Sequence, residues 1–121
     1  MVEMIDVGID RAVAFRIDGK VKETEMVHFF SEAKAKIELY ENIVVYEEIV
    51  NFSGIEIKGI IAEFKFLHEI GLSHIEKIAV VTDKKWLEKI VGVEDKIFKS
   101  IDIKTFSTEE KDKAIEFLKN A

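Results

Sequence analysis

The sequence predicts one α/β domain, residues 1–121, with a five-stranded mixed sheet and the element order ββαβαβαβα. Near the start, two stretches alternate apolar and polar residues with the period of a β-strand. Farther along, short apolar runs are separated by stretches with the period of an α-helix. Strands that alternate with helices pair in parallel through right-handed crossovers, so only the first strand is expected to be antiparallel. We expect the four helices mainly on one face.

Periodicity predicts the first half of this order. Strands are predicted over 2–7 and 12–18, joined by a short turn. One apolar stripe at helical spacing predicts a helix that begins at Thr24 as N-cap, or alternatively nearer Lys22, and that ends at Asn42. The stripe consists of Met26, Phe30, Ala33, Ile37 and Tyr40. The apolar run that starts at Ile43 is typical of a central strand covered on both faces.

Capping signals mark the next helix. Ser53 and Glu56 form a capping box, which predicts a helix from about 54 to 70. A buried strand over 77–81 follows it.

The last third of the chain repeats this pattern. A helix is predicted over 84–91 with a short continuation over 94–99, and a fifth strand over 101–106. A second capping box, residues 107–110, opens the last helix. Its inward side chains are expected to be Ala114, Ile115 and Leu118.

Composition excludes several classes of function. The chain carries 18 basic and 24 acidic side chains, and a formal charge of −6 argues against a nucleic-acid partner. The absence of cysteine excludes disulfides, zinc–thiolate sites and thiol catalysis. No uncharged apolar run approaches the roughly 20 residues that cross a bilayer, and the acidic start lacks the basic region of a secretion signal. We therefore expect a cytoplasmic protein.

The chain carries no recognisable catalytic or cofactor motif. Its three histidines are scattered, its glycines form no phosphate-binding loop, and no serine lies in a GxSxG pattern. Glu47 and Glu48 end the third strand, but adjacent strand residues point to opposite faces and cannot act as a carboxylate pair. An acid or base role for either one alone stays open. We expect no enzyme activity, no cofactor and no metal site.

Several stretches follow the pattern of a known family. They are Phe15–Lys20, Val44–Glu47 with Phe52–Gly54, Lys77–Trp86 and Ala114–Leu118. In this order and spacing they resemble the SpoIIAA-like branch of the STAS superfamily, over nearly the whole chain. The resemblance implies a sheet with helices packed on one face and a domain that is not an enzyme.

The resemblance also implies a candidate regulatory residue. In anti-sigma-factor antagonists of this superfamily, a partner kinase phosphorylates a serine at the start of the second helix, and Ser53 is in the comparable place. The antagonists carry an aspartate before that serine, whereas this chain has Phe52. Ser53 is also accounted for as a helix N-cap. Some relatives in the SpoIIAA-like branch have been discussed as binding apolar ligands or membrane surfaces.

The predicted helix over 54–70 is apolar beyond one stripe. Its core face consists of Ile57, Ile60, Ile61, Phe64 and Leu67. A second ridge, displaced around the helix axis, consists of Ile55, Ala62, Phe66 and Ile70. A helix on a sheet needs only one apolar face, so the surplus packs against a neighbouring helix, a second subunit or an apolar ligand. In the last case the ridge, with Trp86 and Ile90, would bound an apolar groove.

A row of lysines lies beside that groove. Lys85, Lys89, Lys96 and Lys99 recur at helical spacing. Such a row beside Trp86 is typical of a helix that lies in a membrane interface. The alternative is a solvated lysine face with Trp86 partly in the core, which the net charge of −6 favours.

These observations predict a non-catalytic binding domain. Its expected partner is a lipid-like small molecule, a membrane surface or a protein, and a homodimer is a further expectation. The alternative is an anti-sigma-factor-antagonist-like regulator that is switched by phosphorylation at Ser53.

Overall fold

The computed structural model describes residues 1–19, 23–50, 74–83 and 102–120, without the side chains of 23–27 and 30. Five strands are described: β1 (Val2–Ile5), β2 (Ala12–Asp18), β3 (Ile43–Val50), β4 (Ile75–Thr82) and β5 (Asp102–Ser107). Two α-helices are described: α1 (Glu23–Tyr40) and α2 (Lys111–Lys119), the second preceded by a 3-10 turn (Thr108–Glu110). The predicted helices over 54–70, 84–91 and 94–99 lie outside the described residues.

The five strands form one mixed sheet in the order β1-β2-β3-β4-β5. β1 pairs antiparallel with β2, and each later neighbour pairs in parallel. The predicted mixed sheet is therefore confirmed. β1 ends at Ile5, earlier than predicted, because the Asp6 carboxylate accepts a hydrogen bond from the Gly8 amide at 2.8 Å and starts the turn. Gly8 has a φ of 79°, a left-handed conformation that favours glycine.

Side chains alternate between two faces of the sheet, and each face carries its own core. The first face, which α1 covers, carries Val13, Phe15, Ile17, Val45, Ile49, Ile78 and Val80. The second face, which α2 covers, carries Ala12, Ala14, Val44, Tyr46, Ala79, Val81 and Phe106. β3 is buried on both faces, as the apolar run from Ile43 predicts, and β4 is buried on both faces from Ile78 onward, as predicted for the strand over 77–81.

The two described helices lie on opposite faces of the sheet. The expectation that most of the four helices share one face also concerns 54–70 and 84–99, which lie outside the described residues, and it stays a prediction. α1 joins the parallel neighbours β2 and β3, so the handedness of the crossover decides its face. α2 follows the last strand and is free of that constraint. It packs on β3, β4 and β5 across the face that α1 leaves open.

The core stripe of α1 differs in part from the predicted one. Ala33 is buried and Ile37 is half-buried, as predicted, whereas Tyr40 is 41% exposed. The sequence reading missed Phe29, which is fully buried with its ring centroid 4.5 Å from that of Phe15. The side chains of the other stripe residues, Met26 and Phe30, lie outside the described part. The stripe is thus rotated around the helix axis toward Phe29.

The predicted capping box is present and opens the 3-10 turn that leads into α2. The Glu110 carboxylate accepts hydrogen bonds from the Ser107 amide at 3.1 Å and from the Ser107 hydroxyl at 3.0 Å. These bonds lower the pKa of Glu110, the amide contributing most. Two of the predicted inward side chains, Ala114 and Leu118, are fully buried. At the other end of the helix, the Lys77 ammonium donates to the carbonyls of Phe117 and Asn120, where the helix dipole favours a cation.

Candidate functional site

The carboxyl ends of the parallel strands bring three charged side chains together on the second face. Open α/β sheets commonly place their sites at this end. Arg16 of β2 and Glu48 of β3 are direct neighbours in the parallel register. Lys111, the first residue of α2, reaches the same carboxylate. We call Arg16, Glu48 and Lys111 the carboxyl-end cluster.

The Glu48 carboxylate is at the centre of this cluster and is only 2% exposed. Its Oε2 atom lies 3.1 Å from both Nε and a terminal nitrogen of Arg16. Its Oε1 atom lies 2.6 Å from the Lys111 ammonium. A more exposed carboxylate, Glu3, lies 3.8 Å from Arg16 at the rim. Both oxygens of Glu48 are therefore engaged by cations, an arrangement that suits a structural ion pair better than a general base, which must reach its substrate.

Tyr46 lies two residues before Glu48 on the same face, and its hydroxyl is held in the neutral form. Burial raises its pKa to about 12, with a further contribution from the negative charge of Glu48, while Arg16 acts in the opposite direction. A phenol with this pKa does not ionise near neutral pH. Tyr46 therefore contributes volume and a neutral hydroxyl to this end of the sheet.

The first face carries a different set of polar groups at the carboxyl ends. Glu47 is 2% exposed and alternates with the first-face residues Val45 and Ile49, so the two adjacent glutamates lie on opposite faces as predicted. Thr82, the last residue of β4, is 1% exposed, and its hydroxyl has no hydrogen-bond partner among the described residues. A buried hydroxyl without a partner costs about 1–3 kcal/mol. Thr82 is therefore a polar group that a bound molecule could satisfy.

The residues predicted from the sequence to form the groove and its rim lie outside the described part of the chain. The groove set is Ile55, Ala62, Phe66, Ile70, Trp86 and Ile90. The lysine row is Lys85, Lys89, Lys96 and Lys99. Ser53 is also outside, three positions after the last residue of β3. These assignments stay predictions.

The sequence reading missed the carboxyl-end cluster. The sequence could have predicted the pairing of Arg16 with Glu48, because aligning the ends of the parallel strands β2 and β3 places these two residues side by side. No comparable signal existed for Lys111, because its position depends on α2 crossing the second face.

Within 1–19, 23–50, 74–83 and 102–120, no three histidine or acidic side chains come together as a metal site would require. Neither described helix has the length and apolar character needed to cross a membrane.

Comparison with known proteins identifies the fold family. The model of the SpoIIAA-like family matches residues 12–119, which is most of the chain. No curated protein and no solved structure matches the sequence. The family match spans β2 to α2 and so includes every described element except β1. This five-stranded domain therefore belongs to the SpoIIAA-like family and has the STAS-like fold.

Proposed function

We propose that the protein is a non-catalytic binding domain that holds a lipid-like molecule, or contacts a membrane surface, through residues 54–70 and 84–99. The observation that carries the proposal is the surplus apolar ridge of the 54–70 segment, which consists of Ile55, Ala62, Phe66 and Ile70. One apolar stripe is enough to cover a sheet, and this segment has two.

The topology of the described sheet supports the location of this surface. β3 and β4 are parallel neighbours, as are β4 and β5, and the strand order runs in one direction. Right-handed connections between such strands pass over the same face as α1. We therefore infer that 54–70 and 84–99 form helices over the first face, which completes the ββαβαβαβα order. Only one ridge of each helix would then be used by the sheet.

Thr82 supports the proposal from within the described residues. Its hydroxyl is buried on the first face, at the end of β4 that leads into residues 84–99. Small-molecule sites combine mainly apolar walls with a few polar groups that fix orientation. The predicted apolar ridge over this face, together with a buried hydroxyl that has no hydrogen-bond partner among the described residues, would fit that description.

Vesicle flotation tests the membrane form of the proposal. The probe is vesicles of phosphatidylcholine and phosphatidylglycerol, and binding is expected to fall when Trp86 is replaced by alanine. Lys85→Glu with Lys89→Glu is expected to weaken binding by at least about thirtyfold, since each lysine near an anionic surface contributes about 1 kcal/mol. The matched control is Lys34→Glu with Lys119→Glu, the same charge change at exposed lysines elsewhere.

Native mass spectrometry of freshly purified protein tests the small-molecule form and reports the number of subunits. A retained molecule with the mass of a lipid supports the proposal, and Thr82→Val is expected to weaken its retention. Absence of binding to both vesicles and fatty acids at high micromolar concentration would contradict the proposal.

A second candidate function is regulation through Ser53. Ser53 precedes a predicted helix, and a phosphate at a helix N-terminus is electrostatically favourable. In this case the protein binds a kinase or another signalling protein, as anti-sigma-factor antagonists do. Mass spectrometry of protein from its native cells distinguishes the candidates. A Ser53 that is unmodified under every growth condition argues against this one.

A further inference from the structure

A groove of about 410 Å³ lies at the opposite end of the sheet from the carboxyl-end cluster. It runs between the β1–β2 connection and the last turns of α1, beside the amino end of β2. Val7 and Ile9 contribute apolar surface from the connection, and Leu39 and Tyr40 contribute it from the helix. We call this the amino-end groove. Its described lining residues all fall within 5–40, a different part of the chain from the residues predicted above for ligand binding.

Two apolar side chains that line the amino-end groove are exposed to solvent. Leu39 is 72% exposed and Tyr40 is 41% exposed, and with Met1 they are the exposed large hydrophobic residues of the described chain. Contiguous exposed apolar surface is a feature of interaction sites, and Leu39 and Tyr40 line the same groove as Val7 and Ile9. Neither residue is needed for the core, because α1 packs on the sheet through Phe29, Ala33 and Ile37.

The groove is also acidic. Asp6, Asp10 and Glu32 line it, together with one lysine, Lys36. The Lys36 ammonium is already engaged, since it lies 2.6 Å from the Ala12 carbonyl and 3.6 Å from Glu32. By contrast, no ion pair involves Asp10 among the described residues. An occupant of the groove therefore meets a surplus of negative charge beside the exposed side chains of Leu39 and Tyr40.

We propose that the amino-end groove docks a segment of a protein partner that presents large apolar side chains flanked by lysine or arginine. Charge complementarity selects basic flanks, because Lys36 pairs with Glu32 and leaves the carboxylates of Asp6 and Asp10 without an ion-pair partner among the described lining residues. A small molecule fits less well, because small-molecule sites enclose most of the ligand surface, whereas the wall residue Leu39 stands largely in solvent. A peptide chain can lie across such an open groove and place side chains in it.

The experiment uses the full chain labelled with ¹⁵N and a synthetic helical peptide of leucine and lysine. Calorimetry measures the affinity, and amide chemical shifts map the contact. We expect shifts at residues 5–12 and 32–40. A matched peptide with glutamate in place of lysine, and another with serine in place of leucine, are expected to bind at least about tenfold more weakly.

Variants distinguish peptide binding in the groove from a general attraction of the basic peptide to the acidic protein. Asp10→Lys and Leu39→Ser are each expected to weaken binding of the leucine–lysine peptide about tenfold. The control is Glu109→Lys, an equal charge change at an exposed site on the 3-10 turn before α2. This variant is expected to change the affinity for the peptide less than about threefold, because salt screens a charge that lies far from the bound peptide.

Three results would overturn the proposal: no binding to the unmodified protein, shifts that map away from the groove, or equal weakening by Glu109→Lys and Asp10→Lys. The shift map is obtained on the unmodified protein, so the proposal stays falsifiable even where a variant fails to fold.

Discussion

Glu48 is a buried carboxylate whose two cationic partners keep contact with water. The side chains of Arg16 and Lys111 are 37% and 46% exposed, whereas that of Glu48 is 2% exposed. Removing one partner of a buried ion pair is destabilising because the remaining charge loses its counter-ion. In this cluster, removing the carboxylate should cost less stability than removing a cation. The exposed cations can regain water, whereas the buried carboxylate cannot.

We expect Glu48→Gln to lower the free energy of unfolding by about 1–3 kcal/mol, less than for a fully buried pair because the remaining cations are partly hydrated. The amide also places a donor against Arg16 or Lys111, where the carboxylate accepted. Urea denaturation measures the change. The control is Glu3→Gln, whose carboxylate is 52% exposed at 3.8 Å from Arg16, and which is expected to change stability by less than about 0.5 kcal/mol. Equal effects of the two variants would contradict this account.

Tyr46 makes a prediction about alkaline pH. Its pKa is raised by burial to about 12 from an ordinary value of about 10. The folded protein thus holds the phenolic proton more tightly than the unfolded chain. The protonated Tyr46 hydroxyl therefore contributes its full share to the free energy of unfolding below about pH 10, and this contribution is lost as the pH rises toward 12. Tyr40→Phe leaves Tyr46 as the only tyrosine of the two, so absorbance at 295 nm reports its ionisation alone.

In that variant we expect the absorbance change near pH 12, together with loss of the folded circular dichroism signal. Tyr46→Phe is the control and should remove the alkaline loss of stability that this group causes. Ionisation close to pH 10 in a protein that is still folded would contradict the burial of the hydroxyl.

At the scale of single elements, the end of α1 is held by a residue in an unfavourable backbone conformation. Glu41 follows the last helical residue with a φ of 66°, the left-handed region. Its amide donates to the Ile37 carbonyl at 2.9 Å, the bond of an αL helix end. A residue with a Cβ atom is strained here, whereas glycine is not.

Glu41→Gly is therefore expected to raise the free energy of unfolding by about 0.5–1 kcal/mol, despite the greater freedom of glycine in the unfolded chain. The matched control is Glu38→Gly, one turn earlier on an exposed helical position, which is expected to lower it by about 0.5–1 kcal/mol. Thermal denaturation of the three proteins compares them directly. A loss of stability in Glu41→Gly would show that the left-handed conformation is not maintained.

The elements also show what the sequence could and could not predict. The bounds of β2 were predicted to the residue, since strand alternation ends there at a glycine. The capping box at Ser107 was predicted because its hydrogen bonds are local. By contrast, Phe29 was left out of the core stripe of α1 and Tyr40 was wrongly placed in it, because helical spacing alone tolerates a rotated stripe. The carboxyl-end cluster and the amino-end groove depend on contacts between distant segments, which periodicity does not encode.

At the scale of the whole molecule, two cores share one sheet. The first-face core includes Val80 and the second-face core includes Leu118, and both side chains are fully buried. β3 and β4 contribute side chains to both cores. Loss of packing on either face therefore destabilises β3 and β4, which also form part of the core on the other face. We expect the described elements to unfold together as a single domain.

Urea denaturation followed by far-ultraviolet circular dichroism and by Trp86 fluorescence tests this cooperativity. We expect one transition with the same midpoint for both signals, the behaviour of a two-state domain.

Leu118→Ala should lower the free energy of unfolding by about 2–5 kcal/mol, and Val80→Ala should lower it by about 1–3 kcal/mol, because each leaves a cavity in a core. Leu39→Ala is the control, because a side chain that is 72% exposed has little packing to lose. Since both faces belong to one sheet, the two core variants should shift both signals equally. A transition in which Leu118→Ala moves the circular dichroism midpoint but not the fluorescence midpoint would show that the chain unfolds in separate units.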